Sequence, residues 1–193
     1  MTLNGRPTVT FGISGTSEAA MLPYKLVHLL SHYGLDARAA ITRGAGQFVT
    51  PIALRAITGH CVYDDSIVFD EESQEPLHLR YSAVDALVVY PASPRVVSEC
   101  AAGSITCPVT RLFAFMSKDN VIFCPHLHPA LARDVYVRHT EVIERLGCRV
   151  LVEKDLSPAG WGAVEAELKQ KFDLRTQNPS EMVSLRSMTF DFR

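Results

Sequence analysis

Small hydroxylated residues crowd around glycines at one point of this chain. Gly12, Ser14, Gly15, Thr16 and Ser17 fall together in TVTFGISGTS, positions 8–17. Val9, Phe11 and Ile13 make its first half a strand, and a helical pattern with Leu22, Leu26, Leu29, Leu30 and Tyr33 follows. A glycine loop between strand and helix gathers free backbone N–H groups, hydroxyls and a positive helix end at one spot, which suits a phosphate. The loop is neither GxGxxG nor GxxxxGK[ST], so the dinucleotide and Walker fingerprints do not apply. Ser/Thr side chains and main chain, rather than a lysine, are the expected ligands. The alternative reading is an ordinary tight turn.

Histidines are the other chemistry-bearing type, since imidazole carries protons near neutral pH. His126 and His128 lie in CPHLHPAL, and His78 lies just before the apolar run ALVVY, in an expected loop. His28, His32 and His139 read as surface residues on helices. His126 and His128 have the spacing of a metal pair, but no third ligand is evident, so no metal site is expected. The five cysteines, Cys61, Cys100, Cys107, Cys124 and Cys148, are odd in number, scattered and without CxxC. Reduced thiols in a cytoplasmic protein are the simplest reading.

The elements that must position these residues alternate strand with helix. Pro23 implies a first helix that starts late, near Leu22, or is kinked; Gly34 ends it. Ala37 to Thr42 reads as a second strand. Thr50-Pro51 is an N-cap with proline at the first helical position, and Gly59 closes that helix. Residues 64–76, rich in Asp and Glu, read as a solvated loop. ALVVY at 86–90 and VIFC at 121–124 are continuous apolar runs, as in parallel strands covered on both faces. Helices follow to about Ala102 and from Pro108. The next has Leu131, Val135, Val142, Ile143 and Leu146 as its inner face and Gly147 as its stop. Cys148–Val152 is a short strand and Trp161–Phe172 a last helix. This pattern predicts a parallel sheet with helices on both faces, in one domain over 1–175, with a flexible or partner-ordered tail over 176–193. Ligands then bind beyond the carboxyl ends of the strands. Those ends are Ser14 to Ser17, Thr42-Arg43-Gly44, Pro91-Ala92-Ser93 and Pro125-His126-Leu127-His128.

With 193 residues, 47% hydrophobic and 21% charged, the chain can fill one full core. A net charge of −2 gives no sign of a nucleic-acid or anionic-membrane partner. No apolar run approaches the about 18 residues that cross a bilayer, and MTLNGRPT lacks the form of a signal peptide.

Four segments recur in the order of one family: SGTSEAA, FVTP at 48–51, His78 before ALVVYPAS, and CPHLHPAL. Over roughly Thr8 to Val152 the chain resembles the flavin-containing cysteine decarboxylases. These include peptidyl-cysteine decarboxylases of the lantibiotic type and phosphopantothenoylcysteine decarboxylase; flavin prenyltransferases are more distant. The resemblance implies a three-layer Rossmann/flavodoxin-like fold and FMN rather than FAD. It implies phosphate contacts from Ser14, Gly15, Thr16 and Ser17, and further cofactor contacts from Thr42, Phe48, Pro91, Ala92, Ser93 and Cys107. It makes His78 the active-site histidine, and it implies a homotrimer that can build a dodecamer, with FMN at the subunit interface.

The chain departs from the family at three motifs, and at one of them, ADNLL, Cys107 stands in place of the asparagine. PASANT begins as Pro91-Ala92-Ser93 and continues Pro94-Arg95-Val96. The substrate clamp PxMNxxMW keeps its proline but reads Pro125-His126-Leu127-His128, with no Met-Trp after it. His128 stands where the family's asparagine holds the substrate carboxylate; an imidazole N–H can donate there, more strongly when protonated. Arg95 is a candidate second carboxylate anchor, or a plain surface residue. The expected function is oxidative decarboxylation of a C-terminal cysteine of a precursor peptide to an aminoenethiol, in ribosomal peptide natural product maturation, with His78 and His128 catalytic. The alternatives are phosphopantothenoylcysteine decarboxylation, flavin prenyl transfer, and a non-catalytic flavoprotein acting as a regulatory subunit.

Overall fold

The structure, a computed structural model, describes residues 6–67, 69–70, 73–128, 130–131, 133–152 and 159–176. Among them, five strands form one sheet: β1 (Thr8–Ile13), β2 (Asp36–Ile41), β3 (Ala86–Ala92), β4 (Val121–Pro125) and β5 (Arg149–Val150). All pairings are parallel and the order is β2-β1-β3-β4-β5, the flavodoxin-like arrangement. In that order the chain reverses direction across the sheet between β1 and β3, and a crevice opens there beyond the strand ends.

Strand alternation divides the core into two layers. Val9, Phe11 and Ile13 of β1 and Ala86, Val88 and Tyr90 of β3 point to one face. There they meet Leu22, Leu26 and Leu29 of α1 (Leu22–Tyr33), Leu54 of α2 (Pro51–Thr58), and Val164 and Leu168 of α7 (Trp161–Phe172). Leu87 and Val89 point to the other face. They pack with Leu77 and Tyr81 of α3 (Leu77–Ser82), Val96, Val97 and Cys100 of α4 (Pro94–Ala101), Val109, Leu112 and Phe113 of α5 (Pro108–Phe115), and Ile143 of α6 (Arg133–Arg145). Each such fully buried side chain contributes about 1.5–3 kcal/mol relative to exposure.

Local signals set the boundaries. A 3-10 turn, Ser17–Met21, precedes α1, so the regular helix starts at Leu22 and Pro23 sits harmlessly in its first turn. Gly34 closes α1 in the left-handed conformation (φ 63°), which costs glycine least. Thr50 caps α2 by accepting from Ala53 N at 3.2 Å.

Four expectations need correction. His78 is on α3, not in a loop. Within the acidic stretch 64–76, Asp70 is buried rather than solvated: its carboxylate pairs with Arg80 and accepts from Ser73 N at 2.9 Å, because a buried charge is tolerated only when paired. On α6, Val135 and Leu146 are exposed, and Thr140 and Ile143 are the buried positions. The strand expected over Cys148–Val152 narrows to Arg149–Val150. The tail from 177 onward lies outside the described residues.

Candidate functional site

At the β1/β3 crevice the two strand ends are laced together by one side chain. Ser14, fully buried, donates from Oγ to Pro91 O at 2.7 Å and accepts from Ser93 N at 2.6 Å. Its backbone N–H also donates to Pro91 O, at 3.2 Å. The hydroxyl expected at a phosphate is therefore spent on positioning the loop.

Beyond Ser14 the chain is arranged as a cradle. A Cβ placed on Gly15 would sit 2.7 Å from Gly44 C and 2.9 Å from Gly44 O, so the loops after β1 and β2 approach closer than any larger residue allows. Thr42 N donates to Ile13 O at 2.9 Å, and Thr42 Oγ1 accepts from Ala45 N at 3.2 Å, which fixes the second loop. Thr16 Oγ1 is shielded from solvent with no hydrogen-bond partner. Ser17 is exposed and opens the 3-10 turn, whose first N–H groups have no helical acceptor. A buried hydroxyl without a partner is costly. Thr16 and Ser17 are not among the residues that line the neighbouring cleft, but an unpartnered hydroxyl followed by free amides suits a phosphate oxygen, so with Gly15 these residues fit the phosphate end of a flavin nucleotide.

The cradle opens into a cleft of about 740 Å³. Gly15, Thr42, Ser93, Arg95 and Cys107, all named as site residues from the sequence, line it. Cys107 caps α5, with its N–H donating to Thr110 Oγ1 at 3.1 Å. Arg43 and Gly44, at the expected end of the second strand, stand on the same walls, together with Asp65, Ser98, Glu99, Thr106 and Tyr136, which the sequence did not single out. Ser98 and Glu99 were findable, because they follow Pro94 and Arg95 by one helical turn on α4.

Other expected residues lie elsewhere. Phe48 is 43% exposed, just past the turn Ala45–Gln47, and does not line the cleft. Pro91 and Ala92 are buried; the Pro91 carbonyl serves Ser14, and the Ala92 carbonyl accepts from His126 N at 2.8 Å. Pro125 and Leu127 are buried, and His128 is exposed with Nδ1 accepting from Ala130 N at 3.1 Å. Burial depresses the basicity of half-buried His126, which Glu18 partly restores and Lys25 further lowers. Glu18, Lys25 and the Tyr90 hydroxyl form a mutual cluster, with Lys25 Nζ donating to Tyr90 at 2.8 Å.

His78 is half-buried, its ring 5.0 Å from that of Phe115 at the far end of α5. Cys107, which reaches the cleft, caps the opposite end of that helix, eight residues or about 12 Å away. Within one chain, His78 is not brought to the cleft.

Known proteins share this fold. The chain is similar to the Coenzyme A biosynthesis bifunctional protein CoaBC of Escherichia coli (strain K12), 32% identical over 105 residues. That alignment takes in 53% of this chain and 25% of the relative, so the chain spans about a quarter of the curated protein it matches. Among solved structures, it resembles the FMN-dependent cysteine decarboxylase TvaF from thioviridamide biosynthesis, with a TM-score of 0.74 and 25% identity, covering 86% of this chain and 98% of TvaF. A mutant PPC decarboxylase complexed with pantothenoylaminoethenethiol shares the fold, with a TM-score of 0.73 at 16% identity over 87% of this chain and 99% of that one. Residues 2–172 match the family model named Flavoprotein, and with nearly the whole fold covered, this chain belongs to the flavoprotein family.

Proposed function

We propose that this protein is an FMN-dependent decarboxylase acting on a C-terminal cysteine of a peptide, with an aminoenethiol as product. The observation that carries the reading is the convergence of Gly15, Thr42, Ser93 and Cys107 on one cleft at the β1/β3 crevice. The likeness to TvaF supports it. Gly15, Thr16, Ser17 and Thr42 hold the phosphate end. Ser93 and Cys107 face the remainder of the nucleotide. Bound flavin supplies a two-electron oxidant for the cysteine side chain. The protein orients the substrate and moves its protons: a base takes the thiol proton, and His128 donates to the carboxylate before CO2 leaves.

His78 is the base in this reading, and it serves the cleft of a second copy of the chain. Supporting this, its ring and the half-exposed Phe115 lie at the end of α5 remote from its own cleft. A homotrimer, with further assembly to a dodecamer, is the proposed oligomer.

The deciding experiment is an absorption spectrum of the purified protein with mass spectrometry of the bound nucleotide, then incubation with a peptide ending in Cys. A yellow protein carrying FMN and a peptide that loses one CO2 and two hydrogens are expected. A colourless protein that does not take up FMN overturns the proposal. A second reading, decarboxylation of phosphopantothenoylcysteine, is favoured by the 32% identity to CoaBC. It predicts turnover of that small molecule and none of the peptide.

A further inference from the structure

Arg95 stands where local helix energetics do not want it. It is the second residue of α4, and a cation there opposes the helix dipole. Its partner Glu99 follows at i+4, the poorer order for such a pair. Yet the arrangement is built with care. Arg95 Nε donates to Glu99 Oε1 at 2.7 Å, and Thr106 Oγ1 donates to Glu99 Oε2 at 2.6 Å. Glu99 is thereby held at both oxygens, and it fixes the guanidinium plane. The two terminal amino groups of Arg95 have no protein partner among the described residues, and the side chain, 74% exposed, stands on the cleft wall. A planar fork with two free N–H edges is matched to a carboxylate or phosphate.

We propose that Arg95, oriented by Glu99 and Thr106, forms a subsite for an anionic group of the substrate that is retained in the product. This rests on the decarboxylase reading for the identity of the substrate. In that reading the departing carboxylate has the single N–H donor of His128, and a fixed cation as its ligand is excluded on energetic grounds. Its charge moves away as CO2 forms, so a guanidinium clamp stabilises the bound substrate more than the transition state and slows the step. A retained anion carries no such penalty. In a peptide it is a Glu or Asp side chain upstream of the terminal cysteine; in a small molecule it is a phosphate. Glu99 is a positioning residue.

The test uses the purified holoprotein and unreactive ligands that end in Ser instead of Cys. One set is peptides with a single Glu at each of the four positions before the terminus, each against its Gln twin. The other is phosphopantothenoyl-serine against its dephosphorylated form. The expected result is that one anionic ligand binds about tenfold tighter than its neutral twin. That preference is lost in Arg95→Gln, partly recovered in Arg95→Lys, and reduced in Glu99→Gln, with circular dichroism and flavin content verifying the fold. Which set discriminates identifies the source of the anion. Equal binding within every pair, or a preference that survives Arg95→Gln, overturns the subsite. An Arg95-dependent preference without CO2 release from the Cys-ended counterparts leaves the subsite standing and removes the decarboxylase reading.

Discussion

Ser14 Oγ bridges the two strands that flank the crevice, donating to Pro91 O at 2.7 Å and accepting from Ser93 N at 2.6 Å. Both partners are main-chain groups; Pro91 O is buried with Ser14, and Ser93 is half-buried at the cleft wall. Ser14→Ala therefore leaves a half-buried donor and part of a buried acceptor unsatisfied, at a cost of about 1–3 kcal/mol. Urea denaturation followed by circular dichroism is expected to show that loss with an unchanged m-value. A change below about 0.5 kcal/mol means the hydroxyl does not tie the loops together.

Gly15 and Gly44 make a sharper case, because the obstacle is backbone. An added Cβ at Gly15 meets Gly44 C at 2.7 Å, whereas one at Gly46, two residues further along the same loop, meets nothing within 4 Å. Gly15→Ala is expected to force the two loops apart and to strip flavin from the purified protein. Gly46→Ala keeps it. The ratio of flavin absorbance to protein absorbance after gel filtration reads the difference directly, and equal ratios in the two variants sink the cradle.

The legible parts of this molecule were those written locally. ALVVY and VIFC announced buried parallel strands because both their faces are apolar, and Thr50-Pro51 and Gly59 marked a helix whose two ends need no distant partner. The strand ends then pointed to the crevice, and five of the expected residues do line its cleft. What composition could not reveal were pairings across the fold. The acidic run hid Asp70, whose partner Arg80 lies across a turn. Ser14 reads as a ligand from its loop alone, while its hydroxyl is tied to the β3 end, 77 residues away. On α6, Ile143 is buried as expected, but hydrophobicity alone also puts Val135 and Leu146 on the buried face, where Thr140 packs in their place.

His126 is the histidine whose protonation should register folding. Burial holds its pKa below the ordinary 6.5, with Glu18 opposing and Lys25 reinforcing the shift. The charged form is thus disfavoured in the folded chain. The sign follows: when pH falls through 6.5, the unfolded chain takes up the proton first, and stability drops until the folded histidine also titrates. His126→Gln is expected to flatten the stability profile below that pH by up to about 1 kcal/mol, allowing for the half-exposed ring. Denaturation midpoints measured on both proteins from slightly alkaline pH down through the histidine range test this. A parallel pair of profiles overturns it.

His78→Asn separates binding from chemistry. The ring packs on Phe115 and lies about 12 Å along α5 from the residue that caps the cleft, so its replacement leaves the cradle untouched. Flavin content should stay at the natural level while cysteine decarboxylation falls at least about a hundredfold, the usual scale for removing a proton-transfer group. Because His78 serves the cleft of a neighbouring copy in the proposed oligomer, two defects can cancel in a mixture. Co-expressed with Gly15→Ala chains, His78→Asn chains supply intact cradles, and the Gly15→Ala chains supply the imidazole. A fraction of the mixed assemblies then holds a complete site, and activity returns to a sizeable part of the natural value although neither variant alone is active. No recovery from a verified mixed oligomer places imidazole and cradle within the same chain's site, and the assignment of His78 across the interface falls.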